Sequence, residues 1–354
     1  MRNVVPADEF AIGLLINGVD DAAFTNAAAR AAARLAISLT KQRAAASSPA
    51  QQEPIEAKLD KADRIMQEQE REQQQRWDDL ANGLVLPVAG DVLSGEGWHP
   101  EYRGYERGWG NFWLAGTVKQ ADVVLLAYPL GVAMDAATRR NDLLRYESTY
   151  LGEHGPAMTL SMHVVGWLHL LGSPGASEKA RAAFDASSMN MHPPFYKWTE
   201  SAHAEQKVSQ YDLGCYNFMT GAGAWVQSLL QGFAGIRYVE RGMAVRPVVV
   251  RSVSPRMVWR GLRVKGLEFR LEASEEATEP SGAPQPRQSA VRATVCVVKG
   301  AAHVRRERPD ETARLLCANC TSAAGAAGEA CSTWSLPEGE PGLLVIPLAD
   351  KERL

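Results

Sequence analysis

The spacing of the apolar residues changes near Gly235, and this change constrains the fold more than any other feature of the sequence. Before Gly235, apolar residues recur every three or four positions, which is the period of an amphipathic helix. The first pattern runs from about residue 21 to 44, and its apolar stripe predicts a packed face made of Phe24, Ala28, Ala31, Leu35 and Leu39. Further helices are predicted near residues 119–128, 136–150, 156–171, 176–187 and 220–233.

After Gly235 the period becomes two, as in strands with one buried face. Apolar and charged residues alternate on both sides of Gly266, which predicts a β-hairpin over residues 257–272. Residues 290–298 and 342–347 are further strand-like runs. We expect the Pro-, Ser- and Glu-rich loop at about 275–288 and the Ala- and Gly-rich loop at about 321–330 to be disordered. The sequence therefore predicts a mainly α region over 1–235 and a small antiparallel β-sandwich-like domain over 236–354.

A charged segment interrupts the helical region. Residues 44–53 are rich in Ala, Ser and Gln, and residues 67–76 consist almost wholly of Glu, Gln and Arg. Such a polar helix projects into solvent, since it has no apolar face to bury. We interpret residues 43–76 as an insertion that extends a helical hairpin.

Composition excludes two classes of partner. With 38 Lys and Arg against 41 Asp and Glu, the formal charge of −3 provides no positive field for a nucleic-acid backbone. The longest apolar run, residues 123–134, contains Pro129 and is shorter than the roughly 20 residues that span a bilayer. We expect neither a nucleic-acid nor a membrane partner. Because Pro6, Asp8 and Glu9 interrupt the N-terminal apolar residues, no signal peptide is predicted, and the cytoplasm is the expected location.

The five cysteines favour a reducing compartment over a disulfide framework, because their number is odd and they are sparse. Cys317 and Cys320 form a C-x-x-C pair. A structural zinc site needs four ligands, and only Cys331 follows nearby. We therefore expect plain thiols in a loop and no metal.

Three loops combine residue types that can act on a sugar. Asp8 and Glu9 are adjacent carboxylates before an apolar stretch, where burial and mutual repulsion would raise one pKa, as a general acid requires. Lys119 and Gln120 could donate hydrogen bonds to several hydroxyl groups. Each pair also has a plain interpretation: a solvated acidic surface for the first, helix capping and surface charge for the second.

The third loop joins aromatic residues to a carboxylate. Phe195 and Trp198 precede Glu200, so aromatic faces could pack against a sugar ring while the carboxylate polarises a water molecule. The plain alternative is a tryptophan that anchors a loop beside a surface glutamate.

The order of these loops resembles that of glycoside hydrolase family 65, over roughly residues 3–245. That family contains α-glucoside phosphorylases, acid trehalases and hydroxylysine-linked disaccharide glucosidases. The matching stretches are residues 6–10 (family P-x-D-E-Y), 19–26 (V-D-N-N-x-Y-T-N), 118–125 (V-K-Q-A-D-V-V-L), 155–159 with Ser161, 194–200, and 217–223 with Gln227 and Gly232. Six motifs in sequence make the resemblance specific.

The resemblance implies an inverting hydrolysis of an α-glucosidic bond that releases glucose. By this resemblance Glu9 is the general acid and Glu200 is the base that activates water, with their carboxyl groups roughly 6.5–9.5 Å apart. Lys119 and Gln120 would contact the glucosyl hydroxyls and Asp8 would lie beside the acid. Trp198 and Phe195 would shape the pocket wall, and no cofactor is implied.

The resemblance also implies a fold that this sequence contains only in part. Family members carry a β-sandwich and the first half of an (α/α)6 barrel before the acid motif, whereas here that motif begins at residue 6. An open half-barrel would expose a large apolar flank. Three expectations follow: a fragment of a longer chain, a split protein whose barrel a second chain completes, or an inactive remnant that binds sugar. Phosphorolysis is the less favoured alternative, because the phosphorylases' His-containing stretch corresponds to Asn217-Phe218-Met219-Thr220 here.

Overall fold

The computed structural model describes residues 1–2, 4, 18–46, 61–105, 118, 120, 122–147, 156–201, 215–239, 241–276, 290–299, 301–306, 314–317, 330–337 and 342–347, with the backbone alone at 43–46, 61–67, 314–317 and 337. The chain divides into two compact units, Met1–Gly152 and Glu153–Leu354. Helices give way to strands inside the second unit, between Phe233 and Arg237. A domain boundary at residues 235–236 stays a prediction, and both loops predicted to be disordered lie almost wholly outside the described residues.

The first unit is helical in its described part. Its elements are α1 (Ala23–Ala46), α2 (Lys61–Gly83), a 3-10 turn over Asp122–Leu126, and α3 (Ala136–Glu147). The 3-10 turn replaces most of the helix predicted at 119–128. Residues 68–76 of α2 are exposed apart from the half-buried Gln74, as the charge pattern predicts.

α1 and α2 run antiparallel, because the start of α1 lies beside the end of α2. Asn26 donates its amide N–H to the carbonyl oxygen of Val85 at 2.7 Å, and Arg30 donates to the carbonyl of Leu84. These bonds turn Asn26 and Ile37 inward, both of them buried.

The predicted packed face of α1 is therefore wrong. Leu35 and Leu39 are 60 % and 55 % exposed, although they were expected in the core. Alanine occurs all round α1, so both faces of the helix are apolar. The hydrogen bonds to the end of α2, rather than the periodicity, decide which face is covered.

A buried pair joins α3 to the segment before the 3-10 turn. Asp142 accepts the backbone N–H of His99 at 2.7 Å, and its second carboxylate oxygen lies 2.8 Å from the His99 ring nitrogen Nδ1. The hydroxyl of Tyr146 donates to the carbonyl of His99 at 2.8 Å. Desolvation raises the pKa of Asp142 despite these bonds.

The second unit begins with three helices around an aromatic core. They are α4 (Met158–Leu168), α5 (Ala176–Ser187) and α6 (Met219–Gln227), which continues into a wider π-helical turn over Ser228–Phe233. Phe184 contacts Phe233 edge-on with ring centres 5.2 Å apart and stacks on Trp225 at 6.1 Å. A β-carbon added at Gly232 would lie 3.0 Å from Leu168, so α6 approaches α4 closely.

The other elements of the second unit are antiparallel strands, most of which follow the helices. A short hairpin, β1 (Met191–His192) and β2 (Lys197–Trp198), precedes α6. The later strands are β3 (Arg237–Val239), β4 (Gly242–Val245), β5 (Arg256–Val264), β6 (Leu267–Glu275), β7 (Ala290–Lys299), β8 (Ala301–Arg306), β9 (Arg314–Cys317), β10 (Ala330–Pro337) and β11 (Leu343–Pro347). They form a four-stranded sheet in the order β10-β7-β6-β5 and a five-stranded sheet in the order β3-β4-β11-β8-β9. The mainly α fold followed by antiparallel sheets is as predicted.

The predicted hairpin around Gly266 is confirmed. Val264 pairs with Leu267 across a two-residue turn, in which Lys265 and Gly266 have φ values of 46° and 81°. Positive φ at both central residues is typical of the tight turn that matches strand twist. Leu267, Phe269 and Leu271 are buried while the residues between them are only partly covered, which reproduces the predicted alternation.

The expectation that all cysteines are plain thiols is wrong for one pair. Cys296 in β7 and Cys331 in β10 are directly opposed in the antiparallel register and form a disulfide. The strand pairing brings together two residues that are 35 positions apart. Spacing along the sequence does not reveal such a pair.

Candidate functional site

Glu200 lies just beyond the β1–β2 hairpin, in a backbone that hydrogen bonds hold on both sides. Its carbonyl oxygen accepts the N–H of Ala157 at 2.9 Å and the side-chain amide of Asn190 at 3.0 Å. Its own N–H donates to the carbonyl of Cys215 at 2.9 Å. The start of α4, the end of α5 and the segment before α6 therefore all fix the position of Glu200.

The Glu200 side chain is half-buried, and one carboxylate oxygen is held. Oε2 accepts the backbone N–H of Cys215 at 3.1 Å. The same two residues are thus joined by one bond between backbones and one bond from backbone to carboxylate. The backbone N–H of Cys215 thus helps to orient the carboxylate.

Trp198 supports this arrangement from the interior. It is 8 % exposed, its carbonyl accepts the N–H of Phe218 at 2.8 Å, and its ring centre lies 6.4 Å from that of Trp225. A β-carbon added at Gly221 would lie 2.6 Å from Ala157 Cβ and 3.2 Å from Trp198 Cε3. Glycine is therefore needed where α6 begins, because the two helix starts and the Trp198 ring meet there.

Two buried hydroxyl groups flank Glu200. Ser201 follows it directly, and Thr159 lies in the first turn of α4, next to the bond from Ala157. They are 4 % and 5 % exposed, and within the described part of the chain neither hydroxyl oxygen has a hydrogen-bond partner. Buried hydroxyls of this kind are satisfied by ordered water. Each of these two hydroxyl groups therefore has the capacity to bind an ordered water molecule.

Of the other predicted site residues, the structure describes Phe195 and Gln120. Phe195 lies at the tip of the β1–β2 hairpin, 89 % exposed. Gln120 is half-buried in the first unit, where its carbonyl accepts the N–H of Asp122 at 3.0 Å. Asp8, Glu9 and Lys119 lie outside the described residues. The distance between the two predicted catalytic carboxyl groups thus stays a prediction.

Sequence reasoning missed Cys215 and Asn190 as residues that position Glu200. Cys215 acts through its backbone, so its side chain carries no signal of the contact. Its position two residues before the motif at 217–223 is the one available clue. Asn190 is 4 % exposed and lies in the turn between α5 and β1. A short side chain with an amide group is typical of turns.

A buried histidine lies in α4, four residues after Thr159. Complete burial lowers the pKa of His163 to about 4, with a smaller contribution from the positive charge of Lys179. His163 is therefore neutral at physiological pH. Within the described ranges, no group of three or more His, Cys, Asp or Glu side chains could hold a metal ion. Of the helices that the structure describes, none is long and apolar enough to cross a membrane.

Several curated proteins resemble this chain. It is 32 % identical over 267 residues to protein-glucosylgalactosylhydroxylysine glucosidase of Danio rerio, a match that covers 75 % of this chain and 32 % of that protein. It is 30 % identical over 268 residues to kojibiose hydrolase of Mucilaginibacter mallensis, covering 75 % of this chain and 30 % of that protein. The chain thus spans about a third of the length of these relatives. No family model matches it.

The fold is shared with a solved structure. A human-microbiome protein assigned as a kojibiose phosphorylase superimposes with a TM-score of 0.55 at 13 % identity, over 96 % of this chain and 42 % of that one. At this identity the similarity concerns the fold alone. The motifs, the named relatives and the shared fold lead to one conclusion: the chain belongs to glycoside hydrolase family 65.

Proposed function

We propose that this chain is a catalytic region of an inverting α-glucoside hydrolase, in which Glu200 activates the attacking water molecule. The proposal rests on the half-buried Glu200 carboxylate, which is oriented by the Cys215 N–H at 3.1 Å. A general base must be held within reach of the water that it deprotonates. The hydrogen bond from Cys215 would hold the Glu200 carboxylate in this way. The buried hydroxyl groups of Ser201, which follows Glu200 in the chain, and of Thr159, in the first turn of α4, have the capacity to bind water.

In the proposed reaction Glu9 donates a proton to the glycosidic oxygen as the bond to C1 breaks. Glu200 removes a proton from water, which attacks C1 from the opposite face and inverts the anomeric centre. Asp8 would lie beside the acid, and Lys119 and Gln120 would bind glucosyl hydroxyls. The two catalytic carboxyl groups would stand roughly 6.5–9.5 Å apart, leaving room for the water. Trp198 and Phe195 would shape the pocket wall.

The substrate class follows from the relatives. Protein-glucosylgalactosylhydroxylysine glucosidase and kojibiose hydrolase are names for enzymes that hydrolyse glucosides. We therefore propose a carbohydrate with a terminal α-glucosyl unit. Hydrolysis is favoured over phosphorolysis because Asn217, Phe218 and Met219 offer no positive charge for phosphate at the start of α6.

We further propose that the helices are part of an (α/α)6 barrel, that the two sheets form a sandwich, and that another polypeptide segment completes the barrel. The exposed face of α1, with Leu35 and Leu39 more than half exposed, supports such a covering segment. It could belong to a longer form of this chain or to a second chain. The cytoplasm is the location predicted from the sequence, and the Cys296–Cys331 disulfide instead favours an oxidising compartment.

The test is glucose release from kojibiose and from glucosylgalactosylhydroxylysine. We expect the wild-type protein to release glucose, first as the β-anomer by NMR, and Glu200→Gln to lower the rate by about 10²–10⁴-fold. Glu178→Gln removes an exposed carboxylate in α5 and should leave the rate unchanged. Equal rates of glucose release by the wild-type protein and Glu200→Gln would contradict the proposal that Glu200 is the base.

A second candidate, a sugar-binding remnant without activity, is favoured by one observation: Asp21 and Ala22 stand where the family motif has paired asparagines. It predicts that the wild-type protein binds the disaccharide and releases no glucose. Adding phosphate distinguishes the third alternative, phosphorolysis, from hydrolysis. A phosphorylase would form glucose 1-phosphate only when phosphate is present.

A further inference from the structure

Thr199, the residue directly before Glu200, has a buried hydroxyl group that is bonded on two sides. Its Oγ1 lies 2.6 Å from the carbonyl oxygen of Ser201 and 3.0 Å from the ring nitrogen Nε2 of His192. Thr199 is 0 % exposed, so bulk water does not compete for these bonds. The bond to Ser201 spans Glu200, because it joins the residue before the candidate base to the residue after it. We call the two bonds of this hydroxyl group the Thr199 network.

The chemistry of the three groups fixes which of them donates. A carbonyl oxygen only accepts hydrogen bonds, so the Thr199 hydroxyl donates its single proton to Ser201. The Thr199 oxygen is then an acceptor towards His192, and the ring atom that faces it must carry a proton. His192 is therefore protonated on Nε2 and donates to Thr199. This donor keeps the hydroxyl proton directed at the Ser201 carbonyl.

The chain just before His192 holds the same stretch of backbone. The carbonyl of Asn190 accepts the backbone N–H of Thr199 at 3.0 Å, and its side-chain amide donates to the carbonyl of Glu200 at 3.0 Å. These two bonds and the bond from His192 all reach Glu200 or its neighbour from the β1 side of the hairpin. The bond from His192 joins two side chains, so a substitution can remove it without changing a backbone group.

We propose that His192 is a positioning residue for the candidate base. Through the Thr199 hydroxyl it fixes the backbone on both sides of Glu200, and the Cys215 N–H then orients a carboxylate whose backbone is already set. His192 acts through Glu200 and does not touch the substrate. Its loss slows the reaction because small displacements of a catalytic group are costly. This inference rests on the proposed function, since it assigns a residue that serves the Glu200 base.

The test is a double-mutant cycle on glucose release from kojibiose or glucosylgalactosylhydroxylysine, whichever the wild-type protein hydrolyses faster. Rates are expressed per folded protein, as judged by near-UV circular dichroism. We expect His192→Leu to lower kcat about tenfold and to leave KM within about twofold, because a base acts in the transition state and not in ground-state binding. In the Glu200→Gln background the same substitution should lower kcat no further, since the group through which His192 acts is absent. A merely structural role would lower kcat by the same factor in both backgrounds.

Matched variants separate the hydrogen bonds from the shapes of the side chains. Thr199→Val removes the hydroxyl group and should lower kcat about as much as His192→Leu, whereas Thr199→Ser keeps the hydroxyl group and should retain most of the rate. His192→Gln can place an amide N–H near the position of Nε2 and should also recover most of the rate. His303→Leu, at a half-buried histidine on β8, is the control and should hydrolyse the substrate as the wild-type protein does.

Each other outcome overturns a different statement. If folded His192→Leu or folded Thr199→Val keeps the wild-type kcat, or if His192→Leu lowers kcat equally in both backgrounds, His192 is not a positioning residue. Should Thr199→Val fail to fold, the His192 variants decide. In these cases the wild-type protein still releases glucose and Glu200→Gln is still slow, so the proposed function survives. If the wild-type protein releases no glucose, the proposed function fails, and the role of His192 fails with it.

Discussion

Glu200 and Cys215 are joined by two hydrogen bonds that use four different groups of the pair. The Glu200 N–H donates to the Cys215 carbonyl at 2.9 Å, and the Cys215 N–H donates to the Glu200 carboxylate at 3.1 Å. The first bond sets the backbone and the second sets the side chain. The orientation of the candidate base thus depends on a contact between segments 15 residues apart.

Gly221 should be intolerant of any side chain. Gly221→Ala would place a β-carbon 2.6 Å from Ala157, so the start of α6 must shift away from α4 and Trp198. We expect the free energy of unfolding to fall by about 1–3 kcal/mol, as measured by urea titration. Gly223→Ala is the control in the same helix, because nothing lies within 4 Å of its added carbon. It should be neutral or stabilising, and equal losses in both variants would contradict the close approach.

Labelling Cys215 should inhibit the proposed hydrolysis. Its thiol is free and exposed, so N-ethylmaleimide can add a bulky group beside the Glu200 carboxylate. We expect glucose release to fall by at least about tenfold, since small displacements of a catalytic group are costly. Cys215→Ser keeps the backbone N–H and should be active and insensitive to the reagent. Full activity in protein labelled completely at Cys215, as checked by peptide mass spectrometry, would contradict the contact.

Buried His163 should make stability depend on pH between about 4 and 6.5. Its pKa is lowered to about 4 by burial, so the unfolded chain takes up this proton at a higher pH than the folded protein does. The stability is therefore complete above pH 6.5 and is lost as pH falls towards 4. Between pH 7.5 and 4 the loss from this group is about 3 kcal/mol.

Urea titrations at both pH values test this dependence. His163→Leu should lose less stability on acidification than the wild-type protein. His303→Leu, at a half-buried histidine on β8, is the control that removes a histidine and keeps His163. Identical pH dependence in His163→Leu and wild type would show that His163 is not buried and neutral.

The Cys296–Cys331 disulfide should stabilise the second unit. It closes a loop of 35 residues, and restricting the unfolded chain in this way contributes about 4 kcal/mol. Without reductant, the free energy of unfolding of Cys331→Ser should be lower than that of the wild-type protein by this amount. With reductant, which opens the disulfide of the wild-type protein, the two proteins should differ little. Peptide mapping should recover the linked pair from protein made under oxidising conditions. Two unlinked thiols there would contradict the pairing.

Much of the helical and strand content was predictable because it is written in local periodicity. The hairpin at Gly266 and the helices at 136–147 and 176–187 follow the predicted patterns closely. The face of α1 was mispredicted, because alanine on every side leaves the helix without a unique apolar stripe. The 3-10 turn at Asp122–Leu126 is shorter than predicted, since tertiary context decides where short helices end.

The amino-acid sequence by itself determined the order of helices before strands, the motif series and Glu200 as the carboxylate to examine, because residue type and spacing are local properties. The tertiary structure alone decided that Cys215 orients Glu200, that Cys296 meets Cys331, and that Leu35 and Leu39 face outward. Each of these depends on segments far apart in the chain that meet only when the fold forms. Backbone groups make the central contact, and every residue carries the same backbone.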